Sequence, residues 1–568
     1  MACVLGLLWV PAVGGGVATA SPDPACDFPA QGTVAYRASG GDASAKAVTG
    51  SSLNATVCEH ATGAQGMEPM LAVNRRGTMF MGIATDKGLY EQPGRLDGTA
   101  ENALLRSRDD GRTWERIRLP GGIDASEGFP YIDARTDRLF VTSFSADTTR
   151  CGQPVIHSDD EGAHWTAAVQ RPGCSPLTLG DWPKIFAGPH RGAAPDGYPD
   201  AVYLCNFVPN DLVAASIGCW RSDDGGDHFT FVSFLPTING ACRAGDVQGG
   251  TGATIVHGSG RVLSDGDVVI PLTACGKPVI VRSSDEGRTW SAASPGDDSI
   301  GLDDIVAGRE GLVLGITDHV WSENLAVDDA DNLFFAYLAD GGVRLATSRD
   351  GGRSWRRLGF VSPPDLRRAI VVSVVARGRG ELAMTYYGTP DTGDRLGATG
   401  MSWRAWMTYS PDALGAEPVF HSAPTSPESA PTMAATMPGC CTTDQTFLEY
   451  TGVQFTAPRE VRGAFTRWTG KHLPDLVLAK LRLPESGARA ARCTSPRRVV
   501  RVPSRWHRVT VRQDGRRLRV RGGRGRRHAV VDLRRSNRPM IRVTITGTSP
   551  HGRRLRRARD YPACPSPS

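Results

Sequence analysis

The sequence predicts an all-β protein, a β-propeller followed by a small antiparallel β-sandwich-like domain at the C-terminus. Two observations carry this prediction: one turn motif recurs five times at near-regular spacing, and short strand patterns alternate with turns rich in Gly (67) and Pro (39). No run of 18 apolar residues follows the first two dozen positions, so we expect no transmembrane segment.

The recurring motif is Ser-x-Asp-x-Gly-x-x-aromatic, which we call the octad. The octads occupy residues 107–114, 158–165, 222–229, 283–290 and 348–355, and their serines lie 51, 64, 61 and 65 residues apart. The Asp carboxylate can accept hydrogen bonds from backbone N–H groups of its own turn, and Gly supplies a positive φ. The aromatic residue is expected to pack into the core. The motif therefore predicts a structural role for these aspartates rather than a catalytic one.

A strand–turn–strand unit precedes each octad. Residues 70–73 and 78–83 form one such pair of predicted strands, and residues 324–327 and 333–337 form another. A repeat too small to bury its own apolar face closes radially against its neighbours. Seven strand pairs predict seven blades. Six blades, with residues 440–482 completing a shared closing blade, are the alternative.

The sequence divides into five predicted regions. Residues 1–20 resemble a signal peptide, because an apolar run over 4–13 precedes Ala18-Thr19-Ala20, although a buried N-terminal strand is the alternative. Residues 21–64 lead into the propeller at 65–483. Residues 484–492 form a linker, and 493–568 form an Arg-rich β-domain.

Cysteine usage also favours export. Of the 13 cysteines, 12 remain once Cys3 leaves with the signal, and an even number suits an oxidising compartment. Spacing suggests the pairs Cys151–Cys174, Cys205–Cys219, Cys242–Cys275, Cys493–Cys564 and Cys26–Cys58. The adjacent Cys440 and Cys441 have no assigned partners. No two matching C-x2-C pairs occur, so we predict no zinc site.

Charge is distributed unevenly along the chain. From Cys493 onward there are 22 Arg, no Lys and three Asp, a balance of +19, whereas residues 1–492 carry −13. Such a tail attracts polyanions electrostatically, and acidic wall polymers or anionic lipid head groups suit an exported protein better than nucleic acid. We therefore expect no specific nucleic-acid partner.

The octads and strand pairs over roughly residues 65–482 resemble the sialidase superfamily, in particular its secreted bacterial Asp-box (BNR-repeat) members. This resemblance implies a propeller fold and, for true sialidases, an arginine triad, an Arg-Ile-Pro motif, an Asp acid/base and a Tyr nucleophile paired with Glu. The chain has no Arg-Ile-Pro, and residues 67–70 read Met-Glu-Pro-Met where that motif would stand. No catalytic residue is therefore carried over by motif.

Candidate site residues lie instead in the segments that lead into each unit's first strand, which surround one mouth of a propeller. Tyr450 is the candidate nucleophile with Glu323 as its base, and Glu127 or Asp181 is the candidate acid/base. The candidate substrate-binding residues are Arg243, Arg367, Arg368, Glu68 and His319; Lys184 is a further polar residue of these segments.

Two functions follow from this pattern. The first is a glycoside hydrolase of exo-α-sialidase type that acts on extracellular glycans. The second is a non-catalytic propeller that binds protein or polysaccharide at the cell surface. The missing Arg-Ile-Pro favours binding, whereas the convergence of Tyr, carboxylates and Arg at one mouth favours hydrolysis. We expect no cofactor or metal, because the sequence has no phosphate-binding Gly-rich loop and no His-rich ligand set. We also expect the protein to be a monomer.

Overall fold

The computed structural model describes residues 26–40, 45–48, 53–84, 104–117, 119–120, 128–143, 153–170, 181–192, 194, 197–209, 215–235, 255–274, 277–293, 323–339, 341–391, 402–432, 450–468, 474–484, 497–502, 506–513, 516–523, 527–532, 540–549, 552 and 554–562. All regular structure within these ranges is β-strand. A helix long and apolar enough to cross a membrane is not found among them. The chain divides into two compact units, Met1–Leu483 and Pro484–Ser568.

The first unit contains antiparallel sheets that we number in chain order. Sheet 1 comprises Met67–Val73, Met79–Ala84, Leu104–Ser107 and Glu115–Arg116. Sheet 2 comprises Gly128–Ile132, Leu139–Ser143, Gln153–Ser158 and Thr166–Gln170. Sheet 3 comprises Asp181–Pro189, Asp200–Pro209, Ala215–Ser222 and Thr230–Phe234. Sheet 4 comprises Ile255–His257, Arg261–Val262, Val268–Ala274, Lys277–Ser283 and Ser291–Ala293. Sheet 5 comprises Leu325–Val327, Leu333–Ala339, Gly342–Ser348 and Arg356–Phe360.

The last two sheets combine strands from both ends of the unit. Sheet 6 comprises Arg368–Arg377, Glu381–Thr389, Arg404–Ser410 and Val419–Pro424, extended by Val34–Arg37 and Lys46–Ala47. Sheet 7 comprises Gly452–Ala457, Glu460–Arg467 and Asp475–Arg482, extended by Thr56–Gln65 and Gln31–Gly32. The segment before residue 65 thus supplies edge strands to two sheets.

The seven sheets form a closed ring. Each sheet packs on the next, and Gly452–Ala457 of sheet 7 packs on Met67–Val73 of sheet 1. Buried apolar side chains fill the spaces between neighbouring sheets, such as Phe80, Leu139 and Leu478 where sheets 7, 1 and 2 meet. Because each sheet buries both faces against its neighbours, the ring needs no other layer to cover it. The first unit is therefore a β-propeller.

All five octads share one hydrogen-bond pattern. In the fourth octad, Asp285 accepts from the hydroxyl of Ser283 at 2.8 Å, the N–H of Thr289 at 2.8 Å and the hydroxyl of Thr289 at 2.7 Å. The Ser283 hydroxyl accepts from the N–H of Gly287 at 2.7 Å. The predicted burial of the aromatic residue is only partly right. Trp290 is half-buried at the edge of the core, because its Nε1–H donates to the Ser233 hydroxyl at 2.9 Å.

The fourth octad position contributes a contact between sheets that the sequence pattern does not reveal. Three octads have an acidic residue with positive φ at this position: Asp110, Glu161 and Glu286. Each accepts from an arginine of the preceding part of the ring, respectively Arg462, Arg108 and Arg221. The octads therefore join neighbouring sheets as well as closing their own turns.

Asp285→Ala should lower the free energy of unfolding by roughly 1–3 kcal/mol, because three donors lose a charged acceptor. Burial would raise the pKa of Asp285, but hydrogen bonds from Thr289 and Ser283 outweigh it and lower the pKa to about 2. The stabilisation is thus present above the unfolded-state pKa of about 4 and is lost as pH falls through 2. Urea unfolding at pH 7 measures the loss. Asp285→Asn keeps one oxygen acceptor and should lower the free energy of unfolding by less. Equal losses in the two variants would contradict the role of the Asp285 hydrogen bonds in stabilising the turn.

Disulfide bonds join Cys26 to Cys58 and Cys205 to Cys219. The first connects the N-terminal segment to strand Thr56–Gln65 of sheet 7, and the second connects two adjacent strands of sheet 3. The other predicted pairs lie outside the described residues, as do Cys440 and Cys441.

The second unit consists of two antiparallel sheets. One comprises Arg497–Arg501, His528–Asp532 and Val520–Arg521, and the other comprises Arg516–Leu518, His507–Gln513, Met540–Thr548 and Arg554–Pro562. Their core includes Val511, Val531 and Val543, which are fully buried or nearly so. On strand His507–Gln513, buried Val511 and Gln513 flank exposed Arg512. Alternation along the strands thus separates an apolar core from arginines at the surface.

Candidate functional site

A cavity of about 930 Å³ is lined by the first strand of six of the sheets and, in sheet 4, by strand Arg261–Val262. Tyr450 and Glu323 lie just before the first strands of sheets 7 and 5, so both mark the end of the cavity where those strands begin. Asp133 and Asp331 follow first strands and lie at the other end, on the side of the octad turns. The two ends therefore carry different chemistry.

Tyr450 and Lys184 form a buried pair at the strand-start end of the cavity. Both are about 2% exposed, and Nζ of Lys184 donates a hydrogen bond to the Tyr450 hydroxyl at 2.7 Å. The same Nζ lies 4.2 Å from the centroid of the Tyr450 ring and 4.9 Å from that of Phe129. Phe129 meets the Tyr450 ring edge-on, with centroids 5.5 Å apart. The ammonium group is thus enclosed by two aromatic rings and directed at a hydroxyl.

The backbone around Tyr450 is held by sheet 6. The carbonyl of Thr451 accepts from the Ser373 hydroxyl at 2.7 Å, and the Thr451 hydroxyl bonds to that of Thr385 at 3.0 Å. Strand Arg368–Arg377 is irregular between Ile370 and Ser373, where Val371 has a φ of 55°. A β-branched residue in this conformation is strained, and such strain persists only where the surroundings enforce it. The position of Tyr450 is therefore fixed by the packing of two sheets.

Glu323 is engaged by residues of sheet 4. Its carboxylate accepts from the hydroxyl of Ser259 and from the guanidinium of Arg261, and Arg261 also lines the cavity. Burial alone would raise the pKa of Glu323. The positive charges of Arg261 and Lys184 and the hydrogen bonds from Ser259 and Arg261 have the larger effect, so the pKa is lowered. Glu323 is therefore ionised at neutral pH and is a weak base.

The structure brings some of the predicted site residues together and separates others. Tyr450 and Glu323 share the cavity, but their described hydrogen bonds go to Lys184 and to Arg261 with Ser259 rather than to each other. Glu68 is buried at the start of sheet 1, with a φ of 54°.

The remaining predicted residues either lie away from the described cavity lining or fall outside the described part of the structure. Arg367 is exposed and Arg368 is half-buried at the start of sheet 6, and neither lines the cavity as described. The backbone of Asp181 begins the first strand of sheet 3, but its side chain lies outside the described part of the structure. Glu127, Arg243 and His319 lie outside the described residues altogether.

Sequence reasoning assigned no role to Lys184 or Arg261. Each residue has a sequence context that could have marked it as a candidate. Lys184 is the lone charge in the predicted strand Trp182-Pro-Lys-Ile-Phe186, and Arg261 follows a Gly-Ser-Gly interruption at 258–260. Their partners belong to other sheets, so only the ring shows what these cations contact. A grouping of His, Cys, Asp and Glu suited to a metal ion is not found within the described ranges.

Comparison with known proteins gives a partial match in sequence. No family model matches the chain. A sialidase from Bacteroides fragilis (strain YCH46) is 25% identical over 211 residues, which is 32% of this chain and 37% of that protein. The chain thus matches well under half of the length of this curated relative.

Several solved structures are similar at low identity. The NanB sialidase from Streptococcus pneumoniae is 12% identical, with 75% of this chain and 69% of that chain covered and a TM-score of 0.35. The intramolecular trans-sialidase from Ruminococcus gnavus is 12% identical, with 73% of this chain and 94% of that chain covered and a TM-score of 0.35. The GH93 α-L-arabinofuranosidase of Fusarium graminearum is 13% identical, with 65% of this chain and 96% of that chain covered and a TM-score of 0.36.

The closed ring of antiparallel sheets shows that the first unit is a β-propeller, and the similarity to the Bacteroides fragilis sialidase supports a sialidase-like superfamily for the chain.

Proposed function

We propose that this protein is a secreted glycoside hydrolase of the exo-α-sialidase type that acts on extracellular glycans. The observation that carries the proposal is the arrangement at the strand-start end of the cavity. There, the Tyr450 hydroxyl lies beside a buried ammonium group, and the ionised Glu323 lies beside Arg261. Disulfide bonds at Cys26–Cys58 and Cys205–Cys219 support export to an oxidising compartment.

The proposed reaction has two displacements at the anomeric carbon. First, the Tyr450 hydroxyl passes its proton through water to Glu323, and its oxygen bonds to the anomeric carbon as the bond from this carbon to the leaving oxygen breaks. The leaving oxygen takes a proton from Glu127 or Asp181. Second, the same carboxylate removes a proton from water. The resulting hydroxide attacks the anomeric carbon and releases the Tyr450 oxygen, which regains its proton from Glu323. A tyrosine nucleophile suits an anionic sugar, because its neutral form does not repel the substrate as a carboxylate would.

A release assay tests the proposal. The full-length protein would be incubated with a fluorogenic α-sialoside and with a panel of other fluorogenic glycosides, including an α-L-arabinofuranoside. Release of fluorophore from at least one glycoside is expected. If none is cleaved but immobilised glycans retain the protein, the propeller is a binding module and the hydrolase proposal is wrong.

We further propose that the second unit attaches the protein to an acidic polymer of the cell surface. The support is the +19 balance from Cys493 onward and the exposure of many of its arginines, including Arg512, Arg516, Arg517 and Arg519. Clustered guanidinium groups attract polyanions at long range, and salt weakens the attraction.

Changing these four arginines to glutamine in the full-length protein should reduce retention on cell-wall preparations at low salt by about tenfold or more. The matched control changes four exposed arginines of the propeller, which removes the same net charge: Arg75, Arg76, Arg288 and Arg353. Equal retention of the two variants would show that attachment depends on net charge alone and would contradict a role for the second unit.

A further inference from the structure

Two buried carboxyl groups meet at the end of the cavity on the side of the octad turns, which we call the octad end. Asp133 follows the first strand of sheet 2 and is 2% exposed, and Asp200 begins the second strand of sheet 3 and is 3% exposed. Both line the cavity, and their carboxyl groups lie within hydrogen-bonding contact of each other. Such a bond requires a proton on one of the two groups, because a carboxylate has only acceptor oxygens.

The contacts of Asp133 are those of a carboxylate. It accepts from the N–H of Arg135 at 2.9 Å, from the hydroxyl of Thr136 at 2.8 Å and from the hydroxyl of Tyr198 at 2.6 Å. Burial and the hydrogen bond to Asp133 raise the pKa of Tyr198, so this hydroxyl keeps its proton and remains a donor. These three donors satisfy Asp133 as an acceptor and leave the shared proton to Asp200.

Asp200 is poorly placed to be an anion. Among the described residues, the cation in ion-pair contact with it is Arg135, whose Nη2 lies 2.9 Å from Oδ1 of Asp200 and whose side chain is half-exposed. Water screens a half-exposed guanidinium, which therefore offsets a buried charge only weakly. Burial and the charge of Asp133 raise the pKa of Asp200 to about 7, although Arg135 opposes the shift.

Within the described ranges, the surrounding charges supply no second cation to the pair. Arg75 pairs with Asp137 at 2.9 Å, and Arg138 pairs with Asp159 at 2.7 Å while its guanidinium lies over the ring of Tyr198. The surroundings therefore favour retention of the proton. The other charged groups that line the cavity on sheets 4 and 5, apart from Glu323, are Arg261, Asp328, Asp329 and Asp331.

We propose that Asp133 and Asp200 form a proton-dependent latch between sheets 2 and 3. At mildly acidic pH, Asp200 is neutral and donates to Asp133, which ties the turn after the first strand of sheet 2 to the second strand of sheet 3. As the pH rises, Asp200 loses its proton to solvent, and two carboxylates then repel each other across the interface. The latch depends on the contacts of this pair and not on the proposed hydrolase function.

The latch makes the folded protein more stable at low pH, because Asp200 holds its proton more tightly in the folded protein than in the unfolded chain, where the pKa of Asp is about 3.9. Its stabilisation is complete below about pH 4 and is lost as the pH rises through about 7. Asp200→Asn should resemble the protonated pair at every pH, since an amide N–H can still donate to Asp133.

Urea unfolding of the full-length protein from about pH 4.5 to about pH 8.5 tests the latch. The urea midpoints of Asp200→Asn and the wild type should be similar at the acidic limit. Asp200→Asn should have the higher midpoint at the alkaline limit, with a difference that grows as the pH rises and then levels off. This difference is the measured quantity, because ionisations elsewhere contribute equally to both proteins.

Asp267→Asn is the matched control, since Asp267 is a carboxylate 1% exposed that accepts from Arg191 and Arg282. Its urea midpoint should lie below that of the wild type across the range, because two cations lose their anion. Histidine is another residue type that titrates in this range, and Nε2 of His190 lies 3.2 Å from the carbonyl oxygen of Tyr198. If His190 causes the pH dependence, that dependence persists in Asp200→Asn.

A difference between Asp200→Asn and the wild type that does not change with pH would overturn the latch, as would a wild type that remains the more stable protein at the alkaline limit. If Asp200→Asn does not fold, Asp133→Asn takes its place. Removal of the neighbouring charge should let Asp200 ionise at lower pH, so the difference from the wild type should move in favour of the variant as the pH rises. A constant difference would again overturn the latch.

Discussion

Replacing Tyr450 by phenylalanine should lower glycoside turnover by about 10³-fold or more while the protein keeps its fold. The substitution removes the oxygen that bonds to the anomeric carbon and, with it, the acceptor of the hydrogen bond from Lys184. The ring still packs edge-on against Phe129, and the strand after it remains tied to sheet 6 through Thr451. The loss should appear in kcat, because the missing bond forms only during the reaction.

The measurement is the rate of fluorophore release at saturating substrate, with the melting temperature recorded for each variant. Tyr409→Phe loses a hydroxyl that donates to Glu381 in sheet 6 and should retain wild-type turnover. A Tyr450→Phe protein that turns over within about tenfold of the wild type would show that another group, or water, attacks the sugar.

Replacing Arg467 by methionine should lower the free energy of unfolding by roughly 3–5 kcal/mol, because it leaves a buried carboxylate without its cation. Glu59, fully buried on strand Thr56–Gln65, accepts from Arg467 on strand Glu460–Arg467 of the same sheet. Arg467 also donates to Asp27 at 3.2 Å. These contacts join the N-terminal segment to the sheet that carries Tyr450.

The pH dependence of this loss has a definite sign. Burial raises the pKa of Glu59 even though Arg467 and the Thr425 hydroxyl oppose the shift. Removal of Arg467 should raise it further. A carboxyl with a raised folded-state pKa destabilises the protein as pH rises above the unfolded value of about 4.3. The deficit of Arg467→Met should therefore be largest near neutral pH and shrink as pH falls toward 4.

Urea unfolding at several pH values measures this deficit. The double variant Glu59→Gln with Arg467→Met should recover part of the loss, because no charge then remains buried at position 59. Arg37→Met is the matched control, since it breaks an exposed ion pair with Glu417 and should cost no more than about 1 kcal/mol. Equal losses from Arg467→Met and Arg37→Met would contradict the importance assigned to the buried pair.

Local patterns in the sequence predicted local structure well. The octad specifies its own turn, because the Asp, Ser and Gly that form its hydrogen bonds lie within eight residues of one another. A short apolar run likewise predicted a strand over 333–337, and the structure has a strand at Leu333–Ala339, whose hairpin partner follows within a few residues. Features that depend on distant partners were not predicted, including the edge strands that the N-terminal segment adds to sheets 6 and 7.

The sequence by itself determined an all-β chain, the repeating unit and an arginine-rich second unit, since each depends on composition or on residues close together. Only the tertiary structure decided which polar groups meet in the cavity. Lys184 and Tyr450 lie 266 residues apart, and in the sequence each is a single charged or polar residue in or next to an apolar strand. The two side chains meet only because the ring brings sheets 3 and 7 to the same cavity. Burial strengthens that contact, because a hydrogen bond between two side chains about 2% exposed is little weakened by competing water.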